Sequence, residues 1–134
     1  MSAAIGEFGP NVLFVEDVAR SRDFYVDVLG FAFGFGDETN AGVFLGDELL
    51  LLVAVPSAAE MLAGEELGTP RTQRGVALFN IFVEDVDVTF ERLRSLGVKF
   101  IVDPMDREWG RRTAHFKDPD GFIWEISQSI ESAT

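Results

Sequence analysis

The chain has 134 residues, with 11 Lys and Arg against 23 Asp and Glu, a formal charge of −12, and no cysteine. Disulfides, thiolate ligands and Cys nucleophiles are thereby excluded, and so large an acidic excess argues against a nucleic-acid partner, whose phosphates need a basic face. The length suits a single domain, 1–134, built either as one body or as two small modules sharing a core.

The first residues, MSAAIGEFGP, lack the basic and apolar regions of a signal peptide. The longest apolar run, Leu49–Val55, is far short of the ~20 residues that cross a bilayer. The expectation is a soluble, cytoplasmic protein with no membrane partner. The acidic balance either favours a cationic small molecule or serves only to keep the surface soluble.

In chain order, VLFV reads as a strand and is followed by Glu16-Asp17-Val18, where Asp17 can cap a helix. Val18, Phe24, Tyr25, Val28 and Leu29 form a somewhat irregular helical stripe ending at Gly30. FAFGF is the next strand, and alternation would place Phe31, Phe33 and Phe35 on one face. AGVFL and ELLLLVAV follow as strands joined by a turn at Gly46-Asp47. Residues 56–75 form a connector in which SAAEMLAGEEL could make a short helix.

The pentapeptide FVEDV, first seen at Phe14–Val18, then recurs at Phe82–Val86 and restarts the same order. NIFV is a strand, Asp85 a cap, and Val86, Phe90, Leu93 and Leu96 one face of a helix that ends at Gly97. VKFIV, RTAHFK and FIWEIS complete the half, the last two joined by the turn Asp118-Pro119-Asp120-Gly121. Each half therefore reads β-α-β-β-β, module one spanning about 10–55 and module two about 76–130. The fold class expected is α+β. A four-stranded unit with one helix leaves a sheet face uncovered, so two such units are expected to pair into a curved eight-stranded cup with the helices outside.

Three stretches, VEDVARSRDFYVDVLGF, NIFVEDVDVTFERLRSLGV and WGRRTAHFKDPDGFIWEIS, resemble the vicinal oxygen chelate superfamily of glyoxalases, extradiol dioxygenases and fosfomycin- and bleomycin-resistance proteins. Enzymes of that superfamily usually hold a divalent metal in the cup. The resemblance would put the ligands at Pro10 or Asn11, within Leu50–Val53, at Leu78 and at Glu125. Only Glu125 is a suitable donor, and the single histidine, His115, rules out a two-histidine site. No metal and no other cofactor is therefore expected.

If Leu78 faces into the cup, alternation also points Val76, Asn80 and Phe82 inward, along with Ile123, Glu125 and Ser127, while Trp124 and Ile126 pack outward. Alternation leaves the side of His115 open; the resemblance places it in the cup beside Glu125. Glu125 is either a general base or an anchor for a cationic ligand, or a relic of a metal site now paired with an arginine or simply solvated. His115 is an acid–base group or a locally bonded strand histidine, and Asn80 a ligand reader or a backbone satisfier. Trp109-Gly110-Arg111 resembles a stretch near the drug groove of bleomycin-resistance proteins. There Trp109 could stack on a ligand and Arg111 could pair with an acid, although Trp109 could equally be buried at a subunit contact. Phe33 and Phe44 are candidates for the cup wall.

Neither a Gly-x-Ser-x-Gly stretch nor a P-loop occurs. The expected function is a metal-free, homodimeric small-molecule binder, such as an antibiotic-resistance protein that sequesters a drug. The alternatives are a superfamily lyase, isomerase or dioxygenase using Glu125 and His115, or a metal bound in another register, or a regulatory module with an empty cup.

Overall fold

The computed structural model describes residues 3–70 and 77–131. The first half contains β1 (Asn11–Val15), α1 (Val18–Asp23), β2 (Ala32–Gly36), β3 (Asn40–Leu45) and β4 (Glu48–Ala54). α2 (Val55–Met61) lies in the connector and begins one residue earlier than that stretch. The second half contains β5 (Leu78–Phe82), α3 (Val86–Ser95), β6 (Phe100–Asp106), β7 (Arg111–Lys117) and β8 (Ile123–Ser129). Val76 and the end of the connector lie outside the described residues.

The strands form two four-stranded sheets ordered β1-β4-β3-β2 and β5-β8-β7-β6. In each, the first strand runs parallel to the last and the remaining pairs are antiparallel. This is the paired βαβββ architecture of a curved cup, α+β in class.

The repeated FVEDV marks the same corner twice. The Asp17 carboxylate accepts the Arg20 N–H at 3.1 Å, and Asp85 accepts that of Val88 at 3.0 Å. Both helices give way to a glycine at positive φ, 85° at Gly30 and 92° at Gly97. The irregular stripe of the first helix has a local cause: after Asp23 the chain widens into a π-helical turn, Phe24–Val28, closed by Leu29 N–H donating to the Phe24 carbonyl at 3.0 Å. The wider turn shifts the side-chain directions and leaves Tyr25 wholly buried.

One expectation fails in β2. Phe33 lies opposite Val43, yet Phe35 lies opposite Gly42, so Gly34 is an extra residue in the ladder. A bulge inverts the alternation beyond it. Phe33 therefore lies on the face that carries α1, in a cleft with Arg22, Asp23, Val26 and Asp27, while Phe35 shares the opposite face with Phe44. Phe31 packs into the core, its ring 5.5 Å from that of Tyr25. Phe33 is thus not a wall of the cup.

The core decides how the halves meet. Leu13, Val15, Val43, Leu50 and Leu52 of the first sheet share one cluster with Ala114, Phe116, Trp124 and Ile126 of the second, together with Val18 and Tyr25 and with Val86, Phe90 and Leu93 of α3. Aromatic pairs cross between the halves: Tyr25–Trp124 at 5.7 Å and Phe24–Phe116 at 6.3 Å. The helices thus lie between the two sheets, on the outer side of each cup half. Within one chain the helix-free faces do not enclose a common cavity. They point away from each other, and Val12, Leu78 and Phe82 are 40%, 49% and 78% exposed on them.

The DPDG turn does more than reverse the chain. Asp118 Oδ1 accepts the N–H groups of Asp120 and Phe122, both at 2.9 Å, and Oδ2 accepts the Tyr25 hydroxyl at 2.5 Å. The Trp124 indole in turn donates to that hydroxyl at 3.0 Å. Asp120 Oδ1 accepts the Glu16 N–H at 3.0 Å and the Arg20 guanidinium at 3.2 Å. A turn of the second half therefore holds the first helix of the other. Burial pushes the Asp118 carboxyl up to about 6, and the Tyr25 hydroxyl is raised well above its ordinary value for the same reason.

Candidate functional site

The helix-free face of the second sheet carries the polar residues that the alternation pointed to. Parallel pairing sets Leu78 beside Ile123, Asn80 beside Glu125 and Phe82 beside Ser127. Antiparallel pairing sets His115 on the other side of Glu125, and Thr113 beside Ser127. Three strands thus bring Asn80, Glu125 and His115 into one row across the middle of the sheet.

The row is hydrogen-bonded along its length. Asn80 Nδ2 donates to Glu125 Oε2 at 2.5 Å, and His115 Nε2 lies 2.9 Å from Glu125 Oε1. His115 Nδ1 is buried and has no hydrogen-bond partner among the described residues. The His115 and Glu125 side chains are each 14% exposed. The partner that Glu125 finds is thus a His–Asn pair, not an arginine.

Arg111 lies one step along the same face. Its Nε donates to Ser127 Oγ at 2.8 Å, and its guanidinium lies 4.7 Å from the centre of the Phe82 ring. Arg107 donates to Thr113 Oγ1 at 2.9 Å and lies 5.8 Å from the Trp109 ring. Trp109 stands on the β6–β7 turn, 65% exposed. Phe44 is on the helix-free face of the other sheet, with Phe14, Phe35, Leu49, Leu51 and Val53.

Asn80, Phe82, Arg111, His115, Ile123 and Glu125 therefore share one sheet face. Trp109 stands at its end, Phe44 belongs to the other cup half, and Phe33 is remote. Sequence reasoning missed Arg107, Thr113 and the pairing of Arg111 with Ser127. Alternation from His115 back through Thr113 to Arg111 carried the signal for the last two; Arg107 lies in a turn, where no periodicity applies.

The inherited metal positions are mostly hydrocarbon. Leu51 lies beside Val12 as Glu125 lies beside Asn80, and Leu78 and Pro10 complete the set. Among the described residues no three His, Cys, Asp or Glu side chains come together as a metal site. Nor is any helix among them long and apolar enough to cross a membrane.

Comparison with known proteins agrees with this architecture. The uncharacterized protein YraH of Bacillus subtilis is 35% identical over 121 residues, covering 88% of this chain and 94% of that protein. A glyoxalase/bleomycin resistance protein/dioxygenase from Nocardioides superposes with a TM-score of 0.82 at 22% identity, covering 99% of this chain and 89% of the other. A lactoylglutathione lyase from Agrobacterium tumefaciens gives 0.74 at 19%, covering 93% and 95%. At such identities the two structures speak to the fold alone. The family profile described as Glyoxalase/Bleomycin resistance protein/Dioxygenase superfamily matches residues 5–126, and the chain belongs to that superfamily.

Proposed function

We propose that this protein binds a small organic molecule on the helix-free face of its second half, without a metal, and does so as a homodimer. The observation that carries the reading is the Asn80–Glu125–His115 row. A linked set of polar groups flanked on the same sheet face by Leu78, Phe82 and Ile123 is what orients a ligand. Three of the four inherited ligand positions offer no donor, so no step is assigned to a metal.

The charges near the row favour a different ligand from the one overall charge suggested. Two guanidinium groups, Arg107 and Arg111, stand beside Trp109 and Phe82, and the Glu125 carboxylate already has two hydrogen-bond partners. A planar aromatic ligand bearing an acid or carbonyl oxygen fits better than a cation. Trp109 and Phe82 supply surfaces to stack on, and the arginines supply donors.

A homodimer follows from the two uncovered faces. Each chain offers one apolar half-cup around Phe44 and Leu51 and one polar half-cup around Glu125, and each sheet ends in a free edge at β1 or β5. Placing β1 of one copy beside β5 of another joins complementary halves and covers both edges.

A thermal-shift panel of aromatic acids, neutral aromatics and aromatic cations tests the reading. A ligand at 100 times its dissociation constant adds about 2.7 kcal/mol of stability. Stabilisation by acidic or neutral aromatics that Arg111→Ala abolishes is the expected result. A preference for cations, or stabilisation unaffected by both Arg111→Ala and Glu125→Gln, would overturn it.

One observation favours an enzymatic reading as the second choice. His115 and Glu125 are in contact, both are largely buried, and Nδ1 has no partner among the described residues. This is the arrangement of a base held by a carboxylate. Turnover of any bound ligand that is lost in His115→Gln with binding retained would establish it.

A further inference from the structure

The two halves differ at one place where their repeat should make them alike. In the first half, the chain leaving β4 turns at once into α2, which packs against β1 and β4 and buries Ala58 completely. The second half has no counterpart to α2 among the described residues. At the corresponding ends of β5 and β8 there is instead an apolar cleft of about 210 Å³, roughly seven waters' worth of volume at ~30 Å³ each. Its walls include Leu29 and Leu45 of the first half, Ile81 and Val83 at the end of β5, and Thr89 and Leu93 of α3.

The same chain carries an unburied apolar segment. Before β1, Ile5 is 98% and Phe8 100% exposed. This segment leads into β1, which lies at one edge of its sheet, whereas the strand residue of that sheet that lines the cleft is Leu45 of β3. In the dimer proposed above, however, β1 of one copy lies along β5 of the other, and the cleft opens at the end of β5.

We infer that the N-terminal arm, residues 3–10, reaches across to a second copy, runs on past the β5 edge that β1 covers and fills this cleft. Ile5 and Phe8 are three residues apart, so in an extended arm their side chains point to opposite faces. One enters the cleft. The other lies over Phe82 at the rim of the candidate site, so that each site is walled partly by the neighbouring copy's arm. This inference rests on the dimer reading and extends it.

The absence of native cysteine makes the test clean. Thr89→Cys is combined with Ile5→Cys in one variant and with Phe8→Cys in another, and each is oxidised and run on non-reducing gels. Disulfide-linked dimers from at least one pair are expected, with none from the single-cysteine arm variants mixed with wild type. Separately, Ile5→Ser/Phe8→Ser alters only exposed positions. It should raise the dimer dissociation constant by about tenfold or more, measured by sedimentation. A wild-type protein that is monomeric throughout would refute the dimer reading beneath. A dimer that shows no cross-link with either pair and an unchanged dissociation constant in the double serine variant would refute the arm alone.

Discussion

Asp118 should make the stability of this protein fall as pH rises, and replacing it with asparagine should remove that fall. The carboxyl is 5% exposed and is held under the Tyr25 hydroxyl. Burial lifts it from 3.8 to about 6 in the folded state. The native protein therefore binds this proton more tightly than the unfolded chain does. The stability it contributes is complete below about pH 4 and is lost as pH climbs through 6. The gap corresponds to about 3 kcal/mol in all, about half of it between pH 5 and 8. That window avoids the isoelectric point near 4.3.

The replacement asparagine can still accept the two backbone N–H groups, but its amide would face a hydroxyl that already accepts from Trp124. Asp118→Asn should therefore cost about 1–2 kcal/mol at pH 5 and progressively less toward pH 8. Urea melts followed by tryptophan fluorescence at several pH values give the difference between the two proteins, free of the other carboxylates. A difference constant to within about 0.5 kcal/mol from pH 5 to 8 would refute the reasoning, since such melts resolve a change of that size.

Tyr25→Phe deprives Asp118 of a donor and the Trp124 indole of its acceptor. It should lower stability by about 1–3 kcal/mol, readable in the same melts. Gly34→Ala would drive a methyl group to 2.5 Å from the Phe44 ring and 2.9 Å from the Gly42 carbonyl; a loss of about 1–3 kcal/mol is expected, and a neutral result would deny the bulge. Glu125→Gln keeps its shape, and Asn80 can turn its amide to match. The melting temperature should change little while ligand affinity changes, which separates a site role from a structural one. Zinc, manganese or a chelator should leave the melting temperature unchanged, because three of the inherited ligand positions are aliphatic or proline; a clear rise with any of these metals would show that a donor set has been overlooked.

The elements were legible because the information is local. A cap at Asp17 or Asp85 and a closing glycine at Gly30 or Gly97 each sit within a few residues of what they control. Alternation likewise placed Asn80 and Glu125 on one face correctly, because β5 and β8 run without a bulge. It failed at Phe33, where one inserted glycine reversed the count, and it wavered along α1, where a single π-helical turn broke the period. Of the partners of Glu125, His115 was set beside it only by the family resemblance, and alternation put Asn80 on the same face without showing that the two touch. That Asn80 and His115 flank it depends on which strands are neighbours, a relation between residues 45 and 10 positions away along the chain. The orientation of the halves, helices inward and cup faces outward, is set by the shared aromatic core, and no local pattern encodes it.

The hold of the last turn on the first helix also constrains how the protein is made. Tyr25 and its acceptor are separated by 93 positions. A nascent chain must therefore emerge past Asp118 before the turn that carries Tyr25 can lock. Until then the first half keeps an unsatisfied hydroxyl and a bare aromatic flank, and folding waits on the slow closure of a very long loop. Synthesis halted before Asp118 should yield a species without fixed tertiary structure, not a small stable protein made of the first repeat.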